Sequence, residues 1–439
     1  MEHVPEPGRL DRMYQAIVDE EDARACTDIS DDACQYVPRN FFLIGACQTL
    51  SNLGDHLANP KTVLAWLLGA VGAPASLVAL LVPIRESGSM IPQLVIGSFV
   101  RRLPRRKMVW VAGAVLQAAA VLGIGLVAAS LVGRTAGWLI ILLLAMFSLS
   151  RGLNSVASKD VLGKTIPKRR RGRLSGFGAT ASGCAAIVVG LYMGMAQEGS
   201  DPTRFYVTLL IAAAVLWVVA GFVYANIQEF AGETAGGANA LFEAVKRLDL
   251  LRTDRDFRRF VITRALLLCS ALSAPYYVVL AQQTHGTDLK SLGWFILANA
   301  LATSLSASFW GIMADVSSRR VLLAAAVWAA VLGLGVFAVS TLDSPLRDWT
   351  WTYPIAFFLL GIAHSGVRIG RKTYIVDMAG GNRRTDYVAV SNTVIGVILL
   401  LTGLLAPLSS HVTPAGIILL LSICGLIGAL TCVTLPETE

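Results

Sequence analysis

The sequence predicts an all-α membrane protein of twelve transmembrane helices in two pseudo-symmetric six-helix bundles, and three observations carry that expectation. Of 439 residues, 55% are hydrophobic and 15% charged, against about 25% charged in an ordinary soluble domain. The apolar residues fall in long unbroken runs of the roughly 20 residues a helix needs to cross the hydrocarbon, where only helices or closed barrels satisfy every backbone polar group. Finally, GSFVRRLPRRK, Gly97 to Lys107, returns 214 positions later as GIMADVSSRR, so Gly97 answers Gly311 and Arg105-Arg106 answers Arg319-Arg320.

The first 38 residues form an acidic tail with ten Asp or Glu. Leu10, Met13, Tyr14 and Ile17 at i, i+3, i+4, i+7 predict one short amphipathic helix there, and no stretch of the tail has the apolar core of a cleavable signal peptide. A first bundle, residues 39–226, holds spans at about 41–67, 75–100, 108–131, 136–157, 176–197 and 203–226. Residues 227–258 read as a linker, with Leu241, Phe242, Val245 and Leu248 marking an amphipathic helix. A second bundle, residues 259–439, holds spans at about 259–283, 291–314, 320–341, 351–374, 387–408 and 413–434. A shift of 213 sets Lys159 on Lys372 and Arg170-Arg171 on Arg383-Arg384, which extends the repeat to the loops after spans four and ten. Two six-span repeats about a central linker is the plan of secondary transporters whose substrate site lies between the halves.

The net charge of +8 reads as orientation rather than as a nucleic-acid surface. Lys and Arg gather in the loops after the even-numbered spans, while the other side holds Arg134, Arg204, Lys290 and Arg347. That asymmetry places both termini in the cytoplasm of a multi-pass protein of the inner or plasma membrane. Seven Cys without paired spacing argue against a disulfide framework or zinc site. Phosphate-cradle, zincin, C-x-x-C and G-x-S-x-G patterns are absent, so no enzyme, cofactor or metal is expected.

An ionisable side chain inside a span costs about 2.5–3.5 kcal/mol on insertion scales and is a functional candidate by default. In span one, Gln48, Asn52, Asp55 and Asn59 share a helical face that is expected to look into a central cavity. Asn59-Pro60 then interrupts the hydrogen-bond ladder, for gating or as a fixed bend. Asp55 lies near mid-depth, and two readings of it stay open: a proton carrier, or an ionised partner of Arg85 from span two. Glu86 is a second proton-carrier candidate, set against a buried salt bridge, and His56 a third, set against a helix contact. Arg151 and Asn154 in span four, and His364 and Arg368 with Arg371 in span ten, form corresponding faces. Arg264 enters span seven about one turn deep, where it can snorkel. Tyr276, Tyr277, Asn299 and Asn392 complete the polar groups that can orient a small ligand in an apolar pocket or act as interhelical glue. The Arg excess over Asp55 and Glu86 gives weight to an anionic or zwitterionic solute.

The loop Gly97 to Lys107 resembles the signature G-x-x-x-D-R/K-x-G-R-R/K of the major facilitator superfamily, and Gly311 to Arg320 resembles its echo in the second half. SNLGDHLANPKTVLAWLL, Ser51 to Leu68, is similar to the first span of that superfamily's drug and metabolite exporters, and IPKRRRGRLSG, Ile166 to Gly176, resembles their loop before span five. The resemblance implies a gating role for Gly97, Arg101, Arg102, Arg105, Arg106, Gly311, Asp315, Arg319 and Arg320. It also implies that Arg151 is the span-four arginine of proton antiporters, although Ser155 stands where their glycine is. The acidic signature position is Arg101 in the first copy and Asp315 in the second, and span five lacks the Gly-Pro pair of the antiporter motif. The expectation is a monomeric carrier in the lipid bilayer that moves a small-molecule substrate by alternating access with protons or another coupling ion, chiefly for export. Proton-coupled uptake of an organic anion or zwitterion is the alternative. A non-transporting sensor or scaffold acting through the tail and linker, or a lipid flippase, is the alternative of another class.

Overall fold

The computed structural model describes residues 14, 29–100, 102–195, 202–232, 234, 248–287, 289–342, 344–378, 384–404 and 412–437. Span one is α1 (Val37–Leu57) and α2 (Val63–Ala70), and span two is α3 (Ala75–Met90) and α4 (Gln93–Val100). Spans three to six are α5 (Lys107–Ser130), α6 (Gly133–Thr165), α7 (Lys168–Gly194) and α8 (Pro202–Ala225). Span seven is α9 (Arg255–Leu266), α10 (Cys269–Leu272) and α11 (Ala274–His285). Spans eight to twelve are α12 (Leu289–Val316), α13 (Ser318–Thr341), α14 (Thr352–Met378), α15 (Arg384–Leu404) and α16 (Pro414–Val433). Among the described residues, eight stretches are long and apolar enough to cross a membrane: α5 to α8, α13, α14, α16 and span seven taken as one run from Arg255 to His285.

The broken spans follow from their sequences. Pro60 has no N–H to donate, so α1 ends at Leu57 and the chain restarts as α2 at Val63. The gap is stitched locally: Asn59 Oδ1 accepts the Lys61 amide at 2.8 Å, and the Asn59 carbonyl accepts the Leu64 amide at 3.0 Å. Span two breaks ahead of Pro92, and span seven restarts with Pro275 in the first turn of α11, where a missing N–H costs nothing.

The bundles meet along α7 with α12 and α3 with α15. Both seams are close: a Cβ at Gly190 would lie 2.8–3.1 Å from backbone atoms of Leu297 and Gly293, and one at Gly403 would lie 3.2 Å from Pro83. Burial distinguishes the two ends of the molecule. On the side away from the termini, one hydrophobic core runs through both bundles, joining Val63–Leu68 of α2 to Tyr276–Ala281 of α11, Phe295 of α12 and Phe357 of α14. On the tail side each bundle has a core of its own: Phe41, Trp110, Leu174 and Tyr224 in the first, and Phe257, Phe260, Trp310 and Tyr374 in the second. The halves are therefore fused at the far end and separate at the tail end.

Of the predicted tail helix only Tyr14 is described; it is buried against Phe41, ring centroids 5.4 Å apart, and pairs with Arg170. Leu10, Met13 and Ile17, and Leu241, Phe242 and Val245 of the expected linker helix, lie outside the described residues. Cys34 is disulfide-bonded, which the odd count and irregular spacing had argued against, while Cys47, Cys184, Cys269, Cys424 and Cys432 are free.

Candidate functional site

Asp55, on α1 four residues before Asn59-Pro60, is clamped from two sides. Arg85 of α3 donates to its Oδ1 at 3.3 Å and Arg151 of α6 at 2.5 Å, so one carboxylate serves two guanidinium groups. Phe147 lies beneath Arg85, with the guanidinium carbon 4.9 Å from the ring centroid, and adds a cation–π contact. Of the two readings open for Asp55, the contact with Arg85 that the second one names is present, with Arg151 added to it. The pair is partly wet, with 21% of the Asp55 side chain and 33% of that of Arg151 exposed.

Glu86, the next residue along α3 from Arg85, makes no ion pair within 4 Å among the described residues. The expected direct salt bridge is therefore not formed. Its electrostatic neighbours are Lys61, Arg85, Arg151, Arg264, Arg368 and Arg371, drawn from spans one, two, four, seven and ten. Lys61 carries no signal in its spacing, since a lysine just past a proline reads like an end-of-span anchor. In the structure its Nζ lies 3.0 Å from His364 Nε2 in the other bundle, and His364 Nδ1 lies 3.2 Å from Ser270 Oγ. Arg264 does not snorkel. Because α9 already begins at Arg255, Arg264 is nearly three turns in and buried, donating to Ser391 Oγ at 2.6 Å and Asn392 Oδ1 at 2.8 Å. His56 is half-buried with Asp55 and Arg368 as charged neighbours.

Other predicted groups are distributed differently. Gln48 and Asn52 open, with Arg151 and Asn154, onto a cavity of about 290 Å³ lined by the first bundle alone rather than by both halves. Ser51, Gln117, Asn154 and Trp217 each leave a buried polar atom without a partner there among the described residues. Asn59 is engaged in the span-one break. Tyr276 lines a far-side cavity of about 440 Å³ between the bundles, whereas Tyr277 is fully buried and its hydroxyl has no partner among the described residues. Asn299 is half-buried on α12.

At the tail end, the two Arg-Arg loops are each held within their own bundle. Glu229, just past α8 and fully buried, accepts the Arg106 amide at 2.8 Å, the Lys107 amide at 2.7 Å and Lys164 Nζ at 3.1 Å, which puts a carboxylate on the positive end of α5. Arg106 also pairs with Asp160 at 3.2 Å. In the second bundle Arg319 donates to Glu437 at 2.7 Å, and Arg320 is 3.8 Å from the same carboxylate. Arg102 and Arg105 are exposed, Gly97 sits within α4 and Gly311 on α12. Arg101 and the Asp315 side chain lie outside the described residues.

Residues 260–439 match the family model described as the Major Facilitator Superfamily. The chain is 21% identical over 400 residues, covering 89% of it and 94% of the relative, to an uncharacterised MFS-type transporter of Methanocaldococcus jannaschii. It is 24% identical over 292 residues to an uncharacterised protein of Mycobacterium tuberculosis, a match that spans 64% of this chain and 55% of that relative. Among solved structures it is similar to the xylose transporter XylE of E. coli in an inward-open conformation, with a TM-score of 0.65, 14% identity, and 91% and 97% of the two chains covered. It is also similar to the peptide transporter POT, with a TM-score of 0.68, 11% identity, and 90% and 94% covered. The nucleoside transporter NupG gives a TM-score of 0.64, 10% identity, and 90% and 99% covered.

Proposed function

We propose that this chain, a major facilitator superfamily protein by its fold and by the match of its second bundle, is a secondary active transporter that carries a small organic solute by alternating access. The observation that supports this most is the unequal burial of its two ends: one apolar core fuses the bundles on the far side, while two separate cores leave the tail side divided. Closing the tail side and parting the far side is the complementary state, and the scarce charged groups sit between.

In this reading residues 39–226 and 259–439 are the moving bodies, 227–258 links them, and both termini are cytoplasmic by the positive-inside argument. The cation surplus around Glu86 favours an organic anion as solute. It also suggests how a proton is coupled. An anion bound among Lys61, Arg368 and Arg371 neutralises cations that neighbour Glu86, so solute and proton each favour the other's binding, by the same factor in both directions. That linkage is the logic of symport. Asp55 keeps the first bundle's arginines in place, and Arg106 with Glu229 and Arg319 with Glu437 keep the tail-side loops rigid.

Flux of radiolabelled solutes into liposomes under an imposed pH gradient tests the reading. Parallel movement of solute and protons supports symport, and opposed movement would restore the exporter expectation drawn from span one. No flux of any anion, zwitterion or neutral solute would leave the sensor or scaffold reading. For that reading, deleting residues 1–38 abolishes the phenotype while Asp55→Asn leaves it intact.

A further inference from the structure

The charges around Glu86 do not balance, and the way each cation is held narrows what the site can take. Six cations, Lys61, Arg85, Arg151, Arg264, Arg368 and Arg371, share this region with two carboxylates, Asp55 and Glu86. Arg85 and Arg151 are both used on Asp55. Arg264 donates only to the neutral Ser391 and Asn392, and its Nε is buried with no partner among the described residues. Lys61 donates to a neutral acceptor, His364, which leaves two of its three protons for other partners. Arg368 and Arg371 make no ion pair within 4 Å among the described residues. Arg264 is buried and Lys61, Arg368 and Arg371 are half-buried, and charge withdrawn from water is ordinarily paired. Here Lys61 and Arg264 are tethered only to neutral acceptors, and Glu86 is in ion-pair contact with none of the six cations among the described residues.

Their placement is equally specific. Arg368 and Arg371 are at i, i+3 on α14, so their side chains stand side by side on one face. Lys61 approaches from the first bundle and reaches His364, one turn further along that same helix. The three together offer forked and point-charge donors from both bundles. A single carboxylate satisfies one guanidinium and leaves the opposite bundle's lysine where it is. An anion carrying two charges satisfies an arginine and draws Lys61 off His364, which couples occupancy to the one described side-chain bond at this depth between the halves.

We infer that the transported solute is a dianion, either a phosphate monoester or a dicarboxylate, held by Lys61 from the first bundle and by Arg368 and Arg371 from the second. This rests on the carrier reading above and goes beyond it in fixing the charge of the solute and its binding groups.

The test is calorimetric binding to the purified full-length chain, with succinate and glycerol 3-phosphate as dianions, lactate as the monoanion and glycerol as the neutral control. One dianion at least binds, ten times or more tighter than lactate, and which of the two does so separates the dicarboxylate from the phosphate. Lys61→Gln and Arg371→Gln each weaken that dianion by about 10- to 100-fold, the size of one charge-assisted hydrogen bond. Lys61→Arg, which keeps the charge, retains most of the binding, and circular dichroism checks that each variant is folded. Equal binding of lactate, binding of neither dianion, or an unchanged affinity in folded Lys61→Gln overturns the assignment. Flux of lactate or glycerol in liposomes without dianion binding would overturn it too while leaving the carrier intact, whereas absence of any flux is a failure of the carrier reading itself.

Discussion

Lys61 of the first bundle donates to His364 Nε2 of the second across 3.0 Å, and His364 passes the pattern on through Nδ1 to Ser270, whose hydroxyl donates to the Leu267 carbonyl at 3.1 Å. The chain has one consistent direction: an ammonium cannot accept, so Nε2 must, and the imidazole is then neutral with its proton on Nδ1. A second proton would place an N–H against the ammonium. The link is therefore present above the imidazole pKa and lost below it. Spin labels on the two bundles are expected to report a wider or broader far-side separation as pH falls. His364→Gln, whose amide oxygen accepts at any pH, removes that dependence.

Asp55→Asn removes the one carboxylate shared by Arg85 and Arg151 and leaves two facing guanidinium groups. Breaking a fully buried pair costs about 3–5 kcal/mol; with a third of Arg151 exposed, a loss of about 2 kcal/mol is expected. Denaturant unfolding in detergent measures it. Adding Arg151→Gln to Asp55→Asn recovers part of the loss, because the repulsion it leaves behind goes too.

Glu229→Gln keeps the shape but removes the charge that caps α5 and pairs with Lys164. Charge-assisted hydrogen bonds contribute about 1.5–3 kcal/mol, so the apparent Tm falls by about 2–4 °C. Solute affinity per folded molecule is unchanged, since the Glu229 hydrogen bonds among the described residues stay within the first bundle and its linker.

Gly190→Leu is expected to abolish net flux without unfolding either bundle. The added side chain meets backbone of Leu297 and Gly293, which cannot rotate away, and so pushes α7 from α12 at the fused end. Cysteine labelling from the far side then reaches α2, whose Val63–Leu68 are otherwise almost completely buried.

The spans were legible because length and apolarity suffice to define them: the expected 108–131 and 203–226 are α5 and α8 to within a residue or two. Where polar sequence continues a span, hydropathy stops early. It ended span four at 157, but α6 runs to Thr165 and carries Asp160 and Lys164 into the tail-side clasp. The same effect at the start of span seven hid Arg264, which looked shallow only because the polar first turn of α9 was assigned to the linker. The contact between Asp55 and Arg85 was one of two readings that depth alone left open. Lys61 and Glu229 were not legible, because their roles depend on partners 303 and 122–123 positions away that no local pattern records. Gln48 and Asn52 share a face with Asp55 as expected, yet span one turns enough that this part of the face looks into its own bundle.

Fusing the far ends through a single apolar core has a thermal consequence. Burial of oil-like surface is worth less as water cools, whereas the charged clasps and links elsewhere do not weaken in the same way. Opening the far side exposes that core, so its cost shrinks in the cold, and under the proposed alternating access the resting balance between the two faces shifts with the temperature of the membrane.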